Sequence, residues 1–452
     1  MRKYLEIVNH MVWGAPALVL ILGVGFFLTL RTGFVQFRLF PRAVRLFFSR
    51  LTSRKKCGGV SPIRALCTAL AATVGTGNLV GVAGAICLGG PGSIFWMWIC
   101  GLLGMGTKYA EATLAVRYRV RKNGENFAGP MYMISQGLPG RWHWLGAVYS
   151  FFGVIAAFGV GNATQINGVI VSVNQTLEKI GVTPSWQGNL LMGIGLGVLI
   201  GTLFSGGAKR IGQWAEILVP FVSCGYLALC LGVLIVNATA IPNAFASIFR
   251  GAFSPQAVTG GIIGSAFSAL RVGVSRGVFT NEAGMGTASI AHGAADVAHP
   301  GEQGLMGIME VFLDTIFMCT MTALVIITSG VNIPYGTDSG GILTLAAFVN
   351  VYGNWVTAFL SFALCCFALA TVLGWGLYGA RCAQFLFGDG AWKIFALLQS
   401  VMVVLAAVMQ TGVLWSLAET VNGLMAIPNL IVLAALSPEL QRLTCEYKKF
   451  CG

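Results

Sequence analysis

Eleven apolar stretches, each long enough to cross ~30 Å of hydrocarbon, follow one another along the 452 residues. They cover about 11–30, 61–87, 93–116, 144–176, 188–205, 213–236, 256–273, 303–330, 353–380, 391–410 and 412–436. No strand-like alternation runs through them, so helices rather than a closed barrel must satisfy the backbone in lipid. Composition agrees: 56% of residues are hydrophobic and only 10% charged, too little polar surface for a soluble globule of this size. A soluble enzyme, a disordered chain and a disulfide scaffold are excluded. The expected class is an all-α polytopic membrane protein.

Basic residues set the expected orientation. The net charge is +13, and the cations gather between apolar runs rather than on one face of a domain, which argues against a nucleic-acid partner. The 31–56 segment is the strongest basic loop, with Arg31, Arg38, Arg42, Arg45, Arg50, Arg54, Lys55 and Lys56. Placing it in the cytoplasm leaves only Arg2, Lys3, Lys179 and Arg250 outside, with the N-terminus outside and the C-terminus inside. The 12 cysteines are scattered and form no CxxC, so neither a metal centre nor a redox pair is expected. The run Met11–Leu30 reads as a retained span rather than a signal peptide.

Two runs break their own helical pattern. Ala71-Ala72-Thr73-Val74-Gly75-Thr76-Gly77-Asn78 puts two glycines and three polar residues in the middle of the second span. Irregular backbone at membrane depth is tolerated only inside protein or along a cavity, where freed amides hold a carboxylate and freed carbonyls a cation. Gly260–Ser268, five spans later, is the second expected interruption, and paired interruptions in two halves point to a transporter binding site. The stretch 277–302, with Asn281, Glu282, His292 and Asp296, reads as a packed cytoplasmic helix or re-entrant piece. Other polar groups at depth are Asn162 with Gln165, Thr371 with Trp375, and Glu310 with Asp314, each pair expected to share a helix face. Lys108 and Glu111 read as a local i,i+3 pair near the surface.

The runs Thr73–Ala83, Gly89–Trp98, Gly104–Glu111, Gly129–Tyr132, Phe279–Gly286, Gly374-Trp375 and Met425–Asn429 closely resemble the alanine/glycine:cation symporter family, in order and over nearly the whole chain. The resemblance implies eleven helices: an extra N-terminal helix with its basic loop (1–60), two five-helix inverted repeats of the LeuT type (61–236 and 237–436) and a tail (437–452). It implies sodium-coupled uptake of alanine or glycine across a prokaryotic inner membrane. The substrate carboxylate would meet Thr76 and Gly77 with Asn78 beside them. Its ammonium would face Thr73, Phe267 and Ser268, and Gln165 and Trp375 would close the pocket. Sodium, the coupling ion, would lie among carbonyls of Ala71, Val74 and Phe367 and the Thr371 hydroxyl. No other cofactor is implied, and the chain is expected to work in membrane lipid as a monomer.

Two positions depart from the family pattern: Ala370 precedes Thr371 where relatives carry a serine, and Glu419 stands where aspartate is expected. No Walker-A run occurs and no intramembrane histidine offers a catalytic base, so neither ATP-driven pumping nor enzymatic chemistry is expected. The alternatives are proton coupling through Glu310 or Asp314, or another small zwitterion as substrate.

Overall fold

The computed structural model describes residues 14–52, 59–122, 124–179, 181–263, 265–337, 340–409 and 412–451. Arg2, Lys3, Arg54, Lys55, Lys56, the first residues of the 11–30 span, and Gly264 of the second motif lie outside them, as does the Glu419 side chain. Helices dominate, joined by one short hairpin of Val120–Lys122 against Glu125–Phe127. Among the described residues six helices are long and apolar enough to cross a membrane, or eight when each of two bent pairs is one span.

The interior is built by α1 (Ala15–Arg31), α2 (Pro62–Thr73), α3 (Val82–Gly89), α4 (Gly92–Arg117), α5 (Trp144–Phe158), α6 (Thr164–Lys179), α7 (Ala266–Asn281), α8 (Thr287–His292), α9 (Pro300–Val311), α10 (Val356–Phe387) and α11 (Gly412–Ala435). In lipid the association of such helices depends on close packing rather than on water exclusion, and small residues allow it. Against α4, a Cβ at Gly307 of α9 would stand 2.7 Å from the Lys108 carbonyl oxygen, so only glycine permits that approach.

The first interruption falls where the sequence put it. Ser61 accepts from the Arg64 amide at 3.1 Å and Pro62 opens α2, a well-formed start. The helix stops at Thr73, and the chain resumes as a π-turn, Gly77–Gly81, leading into α3. The two pieces are bent by 52°.

The second interruption does not fall at Gly260–Ser268. Gly260 and Gly261 have φ of +63° and +88° and make an exposed turn before α7, whose N-cap is Ser265. The break comes at the other end of α7. Glu282 takes φ +52°, Gly284 +95° and Gly286 +81°, and α8 then begins at Thr287. The whole stretch from Thr280 to His292 is buried. Segment 277–302 is therefore not a peripheral piece: its first half is the interior of a broken helix pair. Both oxygens of the Glu282 carboxylate accept hydrogen bonds there, and Asn281 Oδ1 accepts from the Ala283 amide at 2.9 Å.

Three π-turns mark the elements that meet here: Gly77–Gly81, Gly159–Ala163 between α5 and α6, and Phe312–Cys319 after α9. Such turns cluster where regular helix gives way to a functional need.

Candidate functional site

The two breaks face each other. A Cβ added to Gly77 would lie 3.0 Å from Thr280 Cγ2 and 3.7 Å from the Phe279 ring, so the first break rests on the end of α7. Between them lies a small cavity of ≈ 20 Å³, room for about one water. Ala72, Thr73, Gly75, Thr76 and Gly77 line it from the first break, Phe279 and Glu282 from the second. Val160 and Gln165 close one side, Thr371 and Trp375 another, and Asn422 of α11 completes it. An amino acid needs more room than this, so its entry requires the walls to part.

The backbone at the first break is rewired by one side chain. In an unbroken helix the Gly75 amide would bond the Ala71 carbonyl. Instead it donates to Asn78 Oδ1 at 2.8 Å, and the Asn78 amide N–H bonds the Gly75 carbonyl at 3.2 Å rather than that of Val74. The carbonyls of Ala71 and Val74 thus lose their helical donors. Asn78 Nδ2 donates in turn to Asp314 Oδ1 at 2.7 Å, and Asp314 Oδ2 accepts from Thr315 Oγ1 at 2.8 Å.

Of the residues singled out in the sequence, Thr73, Thr76, Gly77, Gln165, Thr371 and Trp375 come together at the cavity. Thr371 Oγ1 donates to the Phe367 carbonyl at 3.0 Å and would be 3.0 Å from a Cβ at Gly75, which sets hydroxyl, carbonyl and break side by side. Ala71, Val74 and Phe367 are buried next to it. Asn78 does not line the cavity; it braces the break from behind. Phe267 and Ser268 are elsewhere. Phe267 is 61% exposed, about 18 Å along the helix from Phe279, and Ser268 sits in the first turn of α7 beside Ser265. The misplaced break carried them to the wrong end of that helix.

Other expected pairs separate. Asn162 turns from Gln165 and donates to the Gln399 carbonyl at 3.0 Å, because the π-turn between them shifts the helical face. Thr371 and Trp375, on regular helix, do share a face. Lys108 and Glu111 are not a local pair. Lys108 Nζ meets Glu310 Oε1 at 3.0 Å, and Glu310 Oε2 meets His292 Nε2 at 2.8 Å, all fully buried. Glu111 Oε1 accepts from the Gly284 and Gly286 amides at 2.9 and 3.1 Å and from Asn429 at 2.8 Å, pinning the second break. Glu310 and Asp314 likewise have separate partners.

Glu282, Phe279 and Asn422 were missed. The signal for the first two was Phe279–Gly286, whose two glycines after a carboxylate mirror the glycines of the first break. Glu282 Oε1 accepts from the Trp375 indole N–H at 2.9 Å and Oε2 from Thr287 Oγ1 at 2.7 Å. A non-glycine residue in the left-handed region carries a strain of about 1 kcal/mol. Those two bonds hold Glu282 there.

Next to the cavity, sharing Thr76 with it, is a larger vestibule of ≈ 780 Å³, lined in part by Thr164, Gly168, Thr344 and Ser361. Thr76 Oγ1 faces Gln165 Oε1 at 3.4 Å, so this contact stands between vestibule and cavity.

Comparison with known proteins bears on what passes through. The sodium:alanine symporter family model matches residues 1–451. The sodium/alanine symporter AgcS of Methanococcus maripaludis is 44% identical over 438 residues, 95% of this chain and 93% of that one. An uncharacterized transporter of Haemophilus influenzae is 43% identical over 451 residues, 99% of this chain and 96% of that one. Among solved structures, MhsT in complex with L-phenylalanine superposes with a TM-score of 0.57 at 14% identity, covering 86% of this chain and 99% of that one. That likeness is one of fold, the LeuT type expected above.

Proposed function

Because the chain belongs to the sodium:alanine symporter family, a family of multi-pass membrane transporters and not of enzymes, we propose that it imports a small neutral amino acid, alanine or glycine, together with sodium. The observation that carries this reading is the first break, where amides and carbonyls freed from the helix meet a small cavity shared with the second break. The substrate carboxylate binds the amides of Thr76 and Gly77, while the Gly75 amide stays with Asn78 Oδ1. Sodium binds the carbonyls of Ala71, Val74 and Phe367 and the Thr371 hydroxyl, hard oxygen ligands suited to a hard cation. Trp375 and Gln165 limit the side chain to a methyl or less.

The eleven-span arrangement, with two five-helix halves after an N-terminal helix, belongs to the same reading. So does an inner-membrane location with the N-terminus outside, which makes the vestibule the outer entrance. Proton coupling through Glu310 is less well supported, since that carboxylate is held on both oxygens by Lys108 and His292.

The test is uptake of radiolabelled alanine into proteoliposomes under an inward sodium gradient, compared with potassium and with a proton gradient alone. Accumulation only with sodium, competed by glycine, is expected. Accumulation driven by protons alone would overturn the coupling ion, and no accumulation under any gradient would overturn the substrate.

A further inference from the structure

A zwitterion brings two opposite charges into the cavity, and the first break answers only one of them. The other needs a fixed negative charge or converging acceptors in a place that excludes water. Among the described residues lining the cavity, Glu282 alone has an ionisable side chain. It is 4% exposed. Its two hydrogen-bond donors, the Trp375 indole and the Thr287 hydroxyl, are both neutral, and each takes one lone pair of one oxygen. A carboxylate oxygen accepts at two sites, so each keeps an acceptor in reserve.

A second observation points to the same place. Asn422 lines the cavity from α11, is 3% exposed, and its Oδ1 has no hydrogen-bond partner among the described residues. A buried acceptor left unmade is costly unless something fills it. Carboxylate and orphan carbonyl on one cavity are the acceptor set that an alkylammonium takes, with its three donors fanned around one nitrogen.

We propose that Glu282 and Asn422 bind the substrate's ammonium group, opposite the carboxylate held at Thr76 and Gly77. The inference rests on the amino-acid transport reading and refines it: the substrate class is a compact α-ammonium carboxylate. Carboxylates without the ammonium are refused, because Glu282 would then face them unpaired. Acidic amino acids are refused because their second carboxylate would add an uncompensated negative charge to a cavity that already holds Glu282. The indole of Trp375 acquires a double role, closing the cavity with its ring and aiming the Glu282 carboxylate with its N–H.

The experiment measures alanine affinity and sodium dependence separately, by scintillation-proximity binding on purified protein in detergent. Wild-type protein that binds no alanine with sodium present would sink the transport reading itself, and the ammonium site with it. Given wild-type binding, Glu282→Gln is expected to weaken alanine about 10- to 100-fold, the loss of one charge-assisted bond. The sodium concentration for half-saturation, read from sodium-induced thermal stabilisation without alanine, is expected to stay within about twofold of wild type. Propionate should fail to compete in wild type. Alanine affinity unchanged in Glu282→Gln would overturn the proposal. A sodium half-saturation raised along with the alanine loss would overturn it too, making Glu282 a ligand of the ion. Should Glu282→Gln not elute as a single species, Asn422→Ala decides instead: alanine weakened with sodium unchanged supports the site, and no change in alanine overturns it.

Discussion

Asn78 and Asp314 lie 236 positions apart in the chain, and the amide of one meets the carboxylate of the other at 2.7 Å with no exposure to solvent. Through this bond the first break is tied to the π-turn of Phe312–Cys319. Asn78→Ala removes the acceptor of the Gly75 amide and a donor to Asp314. Each orphaned buried group costs about 1–3 kcal/mol. The expected result is a lower thermal midpoint in detergent together with weaker alanine binding. An unchanged midpoint would mean that the break keeps its shape without this brace.

Thr371 is the one proposed sodium ligand that offers a side-chain oxygen. Thr371→Ala should raise the sodium concentration for half-maximal uptake, with alanine affinity at saturating sodium largely kept. Thr371→Ser should restore wild-type behaviour, since it returns the hydroxyl. A serine variant that behaves like the alanine one would assign the effect to packing.

Gly161 is the backbone on which Trp375 rests. A Cβ there would stand 2.2 Å from Trp375 Cβ, too close for any real contact. Gly161→Ala therefore forces Trp375 toward the cavity, at about 1–3 kcal/mol of overpacking. Uptake should fall sharply while the protein still purifies. Trp375→Ala works the other way and should admit larger neutral amino acids as competitors of alanine.

Away from the membrane core, the tail helix Ser437–Cys451 gives a pH prediction. The hydrogen bond from Arg442, joined by one from Arg117, holds the Glu439 carboxyl at about 2, below the ordinary 4.5. A carboxyl lowered on folding stabilises above its unfolded value, and that contribution fades as pH falls from 4.5 toward 2. Glu439→Gln should thus have a lower thermal midpoint than wild type at pH 7, with the gap closing as pH drops through that window. These groups are partly solvated, so the gap should be small.

The sequence carried the first break because Gly75-Thr76-Gly77 interrupts an otherwise apolar run, and Thr73, Thr76 and Asn78 beside the glycines favour a site over mere close packing of helices. The second was hidden by the rule that served best elsewhere. Glu282 looks like a surface residue until its partners are known: Thr287 is only five residues on, but Trp375, and the Glu111 that pins Gly284 next to it, come from distant parts of the chain. Thr371 and Trp375 were legible as one face since the helix between them is regular. Asn162 and Gln165 were not, since no one-dimensional pattern announces a π-turn. Lys108 and Glu111 were close in sequence, and proximity alone misassigned them: each found a better partner on another helix.

A π-turn is an α-helix holding one residue more than its winding calls for. The stretch Gly159–Ala163 therefore divides Trp144–Lys179 into two separately indexed lengths, and a helical wheel drawn across all of it is out of phase by about 100° on one side. The same holds on either side of Phe312–Cys319, which joins α9 to the helix Thr320–Thr328. In terms of the gene, these are the places where losing a single codon would leave both flanking helices intact and merely turn one against the other. Gln165 would swing away from Thr76, and the wall between vestibule and cavity would be gone without a single side chain having been replaced.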